Sequence, residues 1–190
     1  LDSLRPEADD PLTRMTLPNF ITIARLILVP IVIAMIGAER WHTAFVLFVV
    51  AGISDAVDGF IARRFDMKSE LGAYIDALAD KALLVSIFVT LSVVGVLPGW
   101  FAIVVVSRDV MILMAVMLSW FMSKPMEIKP LMVGKINTGL QIAFAALVLG
   151  SRGFGLALDP LIDVVMLLVA CLTVVSAGAY LAVWLRHMAT

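Results

Sequence analysis

Long apolar runs separated by short polar clusters dominate the chain, and runs of about twenty apolar residues predict membrane helices. Pro18-Asn19 opens the first, over residues 19–37, with Pro suited to a helix start and Pro30 set to kink the interior. The second begins near Trp41 and runs to Arg64, and the third covers 71–96. The uncharged Gly95-Val96-Leu97-Pro98-Gly99 reads as a turn into a fourth helix over 100–123. A loop over 124–135 holds Lys124, Glu127, Lys129 and Lys135, and a fifth helix covers 134–150. After a turn over Ser151–Leu158, Asp159 is placed as N-cap with Pro160 first in a sixth helix reaching Arg186. The predicted fold class is therefore all-α: a polytopic membrane protein with six transmembrane helices. The membrane domain is read as residues 18–187. Residues 1–17 form a polar arm, aqueous or interface-lying, too acidic for a transit peptide and without the apolar core of a signal peptide.

Composition agrees with that pattern. Of 190 residues, 62% are hydrophobic, and mean hydropathy is +1.06; a soluble domain is about 45–50% apolar. The net charge of −1 gives no reason to expect nucleic acid as a partner. The single Cys171 excludes an internal disulfide and, within an apolar run, reads as a packing residue.

Charges that interrupt the apolar pattern carry the chemistry. Asp55, Asp58 and Ala62 fall at i, i+3 and i+7 on one helix face; Gly72, Asp76 and Asp80 fall at i, i+4 and i+8 on another. Arg63, Arg64, Asp66, Lys68, Ser69 and Glu70 make the polar turn between them. The hairpin thus brings two carboxylate pairs together at the edge of the bilayer, where acids are costly and mark function. Gly59, Ala62 and Gly72 leave space beside the acids. Like charges this close stay ionised only with cations among them. An all-oxygen set suits a hard divalent ion, Mg²⁺ or Mn²⁺, with room for two, while the lack of nearby His or Cys argues against zinc. Elsewhere, Asn19, Thr22 and Arg25 share a face of the first helix, with Arg25 either turned to the acidic site or reaching the headgroups. Lys81 points roughly 100° away from Asp80, towards another acid or the headgroups. Arg108-Asp109 sits deep in the fourth run, readable as a structural ion pair with a neighbouring helix, and Asn137 and Gln141 form a strip suited to gluing helices together.

The spacing D-x2-D-G-x2-A-R-x8-G-x3-D-x3-D, from Asp55 to Asp80, resembles the signature of the CDP-alcohol phosphotransferases at all eight fixed positions. Chance would produce it on the order of once per billion starting points. The resemblance implies a metal-dependent transferase that cleaves the diphosphate of a CDP-linked substrate, usually CDP-diacylglycerol, and hands phosphatidyl to an alcohol with release of CMP. It implies Asp55, Asp58 and Asp76 as metal ligands and Asp80 as ligand or general base. Gly59, Ala62, Arg63 and Gly72 would line the nucleotide and diphosphate site. A homodimer is carried over on the same ground.

The second half is similar to the cardiolipin synthases that use CDP-diacylglycerol, through Leu17–Arg25, Ser107-Arg108-Asp109-Val110-Met111, Lys129-Pro130 and Gly134-Lys135-Ile136-Asn137-Thr138. That likeness implies phosphatidylglycerol as acceptor, with Arg25, Arg108, Lys135 and Asn137 as candidates to hold its phosphate. The neighbouring phosphatidylglycerophosphate synthases, which take glycerol-3-phosphate, tend to carry Arg-Glu in place of Arg108-Asp109 and a further basic residue near Asn137. An ion or proton transporter is the rival from another class, but its acids would lie near mid-bilayer on several helices, often in repeated halves. Here they cluster at one end of one hairpin, and no repeat is visible.

Six spans put both termini on one side. Nine of the fourteen Lys and Arg (Arg5, Arg14, Arg63, Arg64, Lys68, Lys124, Lys129, Lys135 and Arg186) fall on that side, against Arg40 and Arg152 opposite. Positive charge marks the cytoplasm, so the termini and the acids are expected there, in a bacterial inner membrane rather than a mitochondrial one.

Overall fold

The computed structural model describes residues 16–64, 70–122 and 132–189, with side chains over 27–54, 81–122 other than 116 and 120, and 132–188. Residues 1–15 of the polar arm, the turn 65–69 and most of the 124–135 loop lie outside the described residues. The described residues are helical, without strands: α1 (Thr16–Gly37), α2 (Trp41–Arg64), α3 (Glu70–Val93), α4 (Gly99–Phe121), α5 (Met132–Phe154) and α6 (Asp159–Ala189).

Helix ends depart from expectation where local chemistry decides them. The first helix starts at Thr16, so Pro18 lies in its first turn, where N–H groups have no acceptor within the helix to lose. The third helix stops at Val93 because Gly95 adopts φ +77° and Val96 N–H returns to Leu91 O at 2.9 Å. The fifth continues past Gly150 to Phe154, ending where Gly155 takes φ +65° and Leu156 N–H bonds Ser151 O at 2.8 Å. At the sixth, Ile162 N–H bonds Leu158 O at 2.9 Å, which makes Leu158 the N-cap and moves Asp159 to the first helical position. There the carboxylate still faces the positive helix end, and it lies 3.6 Å from Arg152 in an exposed pair.

Packing runs α1 against α2 and α3, α2 against α5, α5 against α6, α6 against α4, and α3 against α4 and α5. Each helix contributes residues three or four apart to one core: Val32 and Ile36; Ala44, Phe48 and Ala51; Leu84, Ile87, Phe88 and Leu91; Phe101 and Val105; Phe144, Ala145 and Val148; Ile162, Met166 and Val169. At its centre Phe101 meets Phe88 and Phe144 edge-on, with ring centroids 5.3 Å apart in both pairs. The buried face of α5 changes character along its length, from Gly134, Asn137 and Gln141 to Phe144, Val148 and Leu149.

Among the described residues, many large apolar side chains lie on the outside. Val93, Ile103, Met117, Phe121, Met132 and Val164 are all largely exposed. A water-soluble monomer rarely shows so much contiguous apolar surface, whereas lipid covers it without cost. Among the described residues, three helices are long and apolar enough to cross a membrane: Gly99–Ser119, Met132–Phe154 and Asp159–Met188. In α1 to α3, the stretches with described side chains are shorter apolar segments, Ile27–Gly37, Trp41–Ser54 and Lys81–Val93. Cys171, expected in packing, is instead exposed on α6, because the helical period turns it outward between the core positions Val169, Ala170 and Thr173.

Candidate active site

The acidic motif divides between two helices. Asp55, Asp58, Gly59, Ala62 and Arg63 lie in the last turns of α2, and Gly72, Asp76 and Asp80 lie in the first turns of α3. The expected i, i+3 and i, i+4 spacings therefore fall on helical backbone at the ends joined by residues 65–69. Side chains of these eight residues, and of Arg25, lie outside the described residues. Among the described residues no three His, Cys, Asp or Glu come together. As a donor set, four carboxylates on two consecutive helices fit hard divalent cations.

One residue beyond Asp80 the side chains are described, and a polar seam begins. Lys81 Nζ donates to both carboxylate oxygens of Asp109, at 2.8 and 3.0 Å, tying α3 to α4. Arg108 Nη1 donates to the same carboxylate at 2.6 Å. Arg108 is 5% exposed; its Nη2 donates to Ser176 Oγ at 3.0 Å, and its guanidinium lies 5.5 Å from the centre of the Tyr180 ring. This is the ion pair with a neighbouring helix that the fourth apolar run invited, with Lys81 as the partner.

The seam continues between α5 and α6. Thr173 Oγ1 donates to Asn137 Oδ1 at 3.0 Å and accepts from Gln141 Nε2 at 3.3 Å, so the Asn137–Gln141 strip does join two helices. Gly134, one turn before Asn137, lets Arg108 and Tyr180 approach: a Cβ there would meet Tyr180 Oη at 2.7 Å and Arg108 Nη2 at 3.2 Å. Arg108 and Asn137 thus line one seam, while Lys135 is exposed beside it. Within the seam three buried atoms have no hydrogen-bond partner among the described residues: Arg108 Nε, Asn137 Nδ2 and Gln141 Oε1. Two are donors, and buried donors without acceptors are costly unless something else supplies one.

A family model for CDP-alcohol phosphatidyltransferase matches residues 15–153. The chain belongs to the CDP-alcohol phosphatidyltransferase family. The matched stretch contains the whole acidic motif, Arg108-Asp109 and Asn137, but not α6. Among curated relatives, the chain is 30% identical over 181 residues to the cardiolipin synthase (CMP-forming) of Rattus norvegicus, covering 87% of this chain and 60% of that protein. The human protein of the same name matches to the same extent. This chain is also 33% identical over 181 residues to the CDP-diacylglycerol--glycerol-3-phosphate 3-phosphatidyltransferase of Bacillus subtilis, covering 86% of this chain and 92% of that protein. The chain spans about 60% of the length of the two mammalian relatives.

Ser176, Tyr180 and Thr173, all on α6, complete the seam and were not singled out from the sequence of this family member. Their spacing of i, i+3 and i+7 in an otherwise apolar helix was the available signal. Trp184 extends the stripe, donating from Nε1 to Ser119 Oγ at 2.9 Å and to Ala115 O at 3.0 Å on α4.

Proposed function

We propose that the chain is a cardiolipin synthase that transfers phosphatidyl from CDP-diacylglycerol to phosphatidylglycerol and releases CMP. The observation that carries this reading is the full eight-residue motif on the helix ends of α2 and α3 that residues 65–69 connect, with a buried arginine seam starting one residue later. The cardiolipin synthase relatives support the choice of acceptor.

In this mechanism the free hydroxyl of phosphatidylglycerol attacks the β-phosphorus of CDP-diacylglycerol. A new P–O bond forms to the acceptor, the bond to the CMP oxygen breaks, and the hydroxyl proton passes to the Asp80 carboxylate. Asp55, Asp58, Asp76 and Asp80 would hold two divalent cations, Mg²⁺ or Mn²⁺, whose charge neutralises the diphosphate and the departing CMP. Gly59, Ala62 and Gly72 give the nucleotide and diphosphate room between the helices, and Arg63 supplies counter-charge. Arg25, Arg108, Lys135 and Asn137 hold the acceptor's phosphate.

All six helices cross the membrane in this reading, as one domain over residues 18–187 with a polar arm before it. Both termini and the acidic site face the cytoplasm of a bacterial inner membrane, where CMP leaves into water. The protein works as a homodimer. The second reading is phosphatidylglycerophosphate synthase, favoured by the Bacillus subtilis relative. Purified protein given CDP-diacylglycerol, Mg²⁺ and either acceptor separates the two. Cardiolipin and CMP from phosphatidylglycerol are expected, and product from glycerol-3-phosphate alone would end the cardiolipin assignment.

A further inference from the structure

Lys81 joins the acidic motif to the seam. It follows Asp80 directly on α3, and its Nζ donates to both carboxylate oxygens of Asp109 on α4, at 2.8 and 3.0 Å. The same carboxylate accepts from Arg108 Nη1 at 2.6 Å, and Arg108 Nη2 donates to Ser176 Oγ on α6 at 3.0 Å. A chain of hydrogen bonds, each with a charged member, thus runs from the residue after Asp80 to a buried guanidinium. Such bonds are directional, so they fix the register of α3 against α4 as well as their separation. Phe88 meets Phe101 two turns deeper, an apolar contact that holds the same helices together with less directional demand.

The guanidinium is held without being fully used. Arg108 Nε and Asn137 Nδ2 are buried donors with no acceptor among the described residues, on side chains 5% and 0% exposed. Unpaired buried donors are costly, so the two mark where an oxygen-rich part of a ligand belongs. We infer that Lys81 and Asp109 set the span of the acceptor: they fix the distance from the α3 acids, where its hydroxyl reacts, to Arg108, where its phosphate rests, and so select the number of carbons between the two. This rests on the reading that Asp80 takes the hydroxyl proton and that Arg108 and Asn137 help hold the phosphate. Phosphatidylglycerol and glycerol-3-phosphate both place three carbons between the phosphate ester oxygen and the terminal hydroxyl, so the same span serves either acceptor. Whatever charge Arg25 and Lys135 add at the phosphate, the length from it to α3 is unchanged. A misplacement of about 1 Å, on the scale of one carbon, costs up to about 10²-fold in rate. Lys81 and Asp109 are positioning residues: they act through Asp80 and Arg108.

The test uses the full chain in detergent micelles with CDP-diacylglycerol and Mg²⁺, with CMP release fitted for kcat and KM. The acceptors are ethylene glycol, propane-1,3-diol and butane-1,4-diol, each supplied as its phosphatidyl ester and as its monophosphate. In whichever ester the protein accepts, kcat/KM for the three-carbon diol is expected to exceed that for the other two by about tenfold or more. Lys81→Ala is expected to lower kcat and to shrink that preference severalfold, while Lys81→Arg, which still reaches the carboxylate, restores it. A merely weakened fold lowers all three diols alike and leaves the preference unmoved. Should Lys81→Ala not fold, Ser176→Ala loosens Arg108 from its other side and is expected to shrink the preference in the same way. A flat profile in the wild type overturns the inference with no variant needed. So does a wild type that uses phosphatidylglycerol or glycerol-3-phosphate but none of the diols, since recognition then falls on the secondary hydroxyl. A preference as sharp in the variants as in the wild type overturns the role given to Lys81 and Asp109. Unchanged turnover in Asp80→Asn, or no CMP release with any acceptor, instead overturns the reading of the site on which the inference rests.

Discussion

Asp109 is not equivalent to the two cations it joins. Removing it as Asp109→Ala strands a buried arginine and a half-buried lysine without a carboxylate partner among the described residues, which costs about 3–5 kcal/mol. Lys81→Ala leaves Asp109 held by Arg108 and costs about 1 kcal/mol, since Lys81 is one-third exposed and partly hydrated. Melting of the detergent-solubilised protein is expected to fall several times further for Asp109→Ala, and equal falls would deny the asymmetry. At Asp80 the expected loss is kinetic: Asp80→Asn lowers kcat for CMP release by about 10²–10⁴-fold while the protein remains folded. The helical backbone under the motif's acids was legible, because their i, i+3 and i, i+4 spacing within apolar runs fits the ends of α2 and α3. Arg108 and Asp109 were legible as an ion pair because charges within an apolar run need partners. Their partner was not, because pairing with Lys81, 28 residues away, depends on the register of α3 against α4. Ser176 and Tyr180 were harder still, since uncharged hydroxyls in an apolar helix announce no chemistry until Arg108 is seen against them.

Three helices end in the same way, with a residue of positive φ and the next N–H returning to a carbonyl five residues back. In α3 and α5 that residue is Gly95 or Gly155, but in α1 it is Glu39, at φ 56°, with Arg40 N–H on Met35 O at 2.8 Å. A side chain there costs about 1–2 kcal/mol, and glycine returns part of that in chain entropy. Glu39→Gly is therefore expected to stabilise the fold by about 0.5–1 kcal/mol, read as a raised melting temperature. The opposite holds at Gly153, where a Cβ would lie 3.1 Å from His42 Cα and 3.2 Å from its backbone N. Gly153→Ala must push α2 from α5 and is expected to cost about 1–3 kcal/mol. These contacts explain why the end of α5 was misplaced from sequence. Gly150-Ser151-Arg152-Gly153 has the composition of a turn, yet Gly150 faces the Phe45 ring and Gly153 the α2 backbone, so both glycines serve close packing within a helix. Element number and order were legible because apolar runs and polar breaks alternate cleanly. Ends were not, because a glycine that stops a helix and a glycine that seats a neighbour look alike in one dimension.

At the scale of the whole molecule, the proposed topology puts Arg152 and Lys135 on opposite sides of the membrane. In a Cys171→Ser background, Arg152→Cys is expected to react with an impermeant maleimide on intact cells, and Lys135→Cys only after permeabilisation. Labelling of Lys135→Cys from outside would reverse the assignment. Chelation by EDTA is expected to abolish CMP release, with Mg²⁺ or Mn²⁺ restoring it; undiminished turnover in EDTA would remove the cations from the mechanism. A row of polar groups running into a lipid-embedded bundle is also half of a route for water. It stops at Phe144, which with Phe88 and Phe101 is fully buried where the seam turns apolar. On the proposed topology these rings would close that route, so vesicles carrying Phe144→Ala are expected to lose an imposed pH gradient faster than those carrying the wild type.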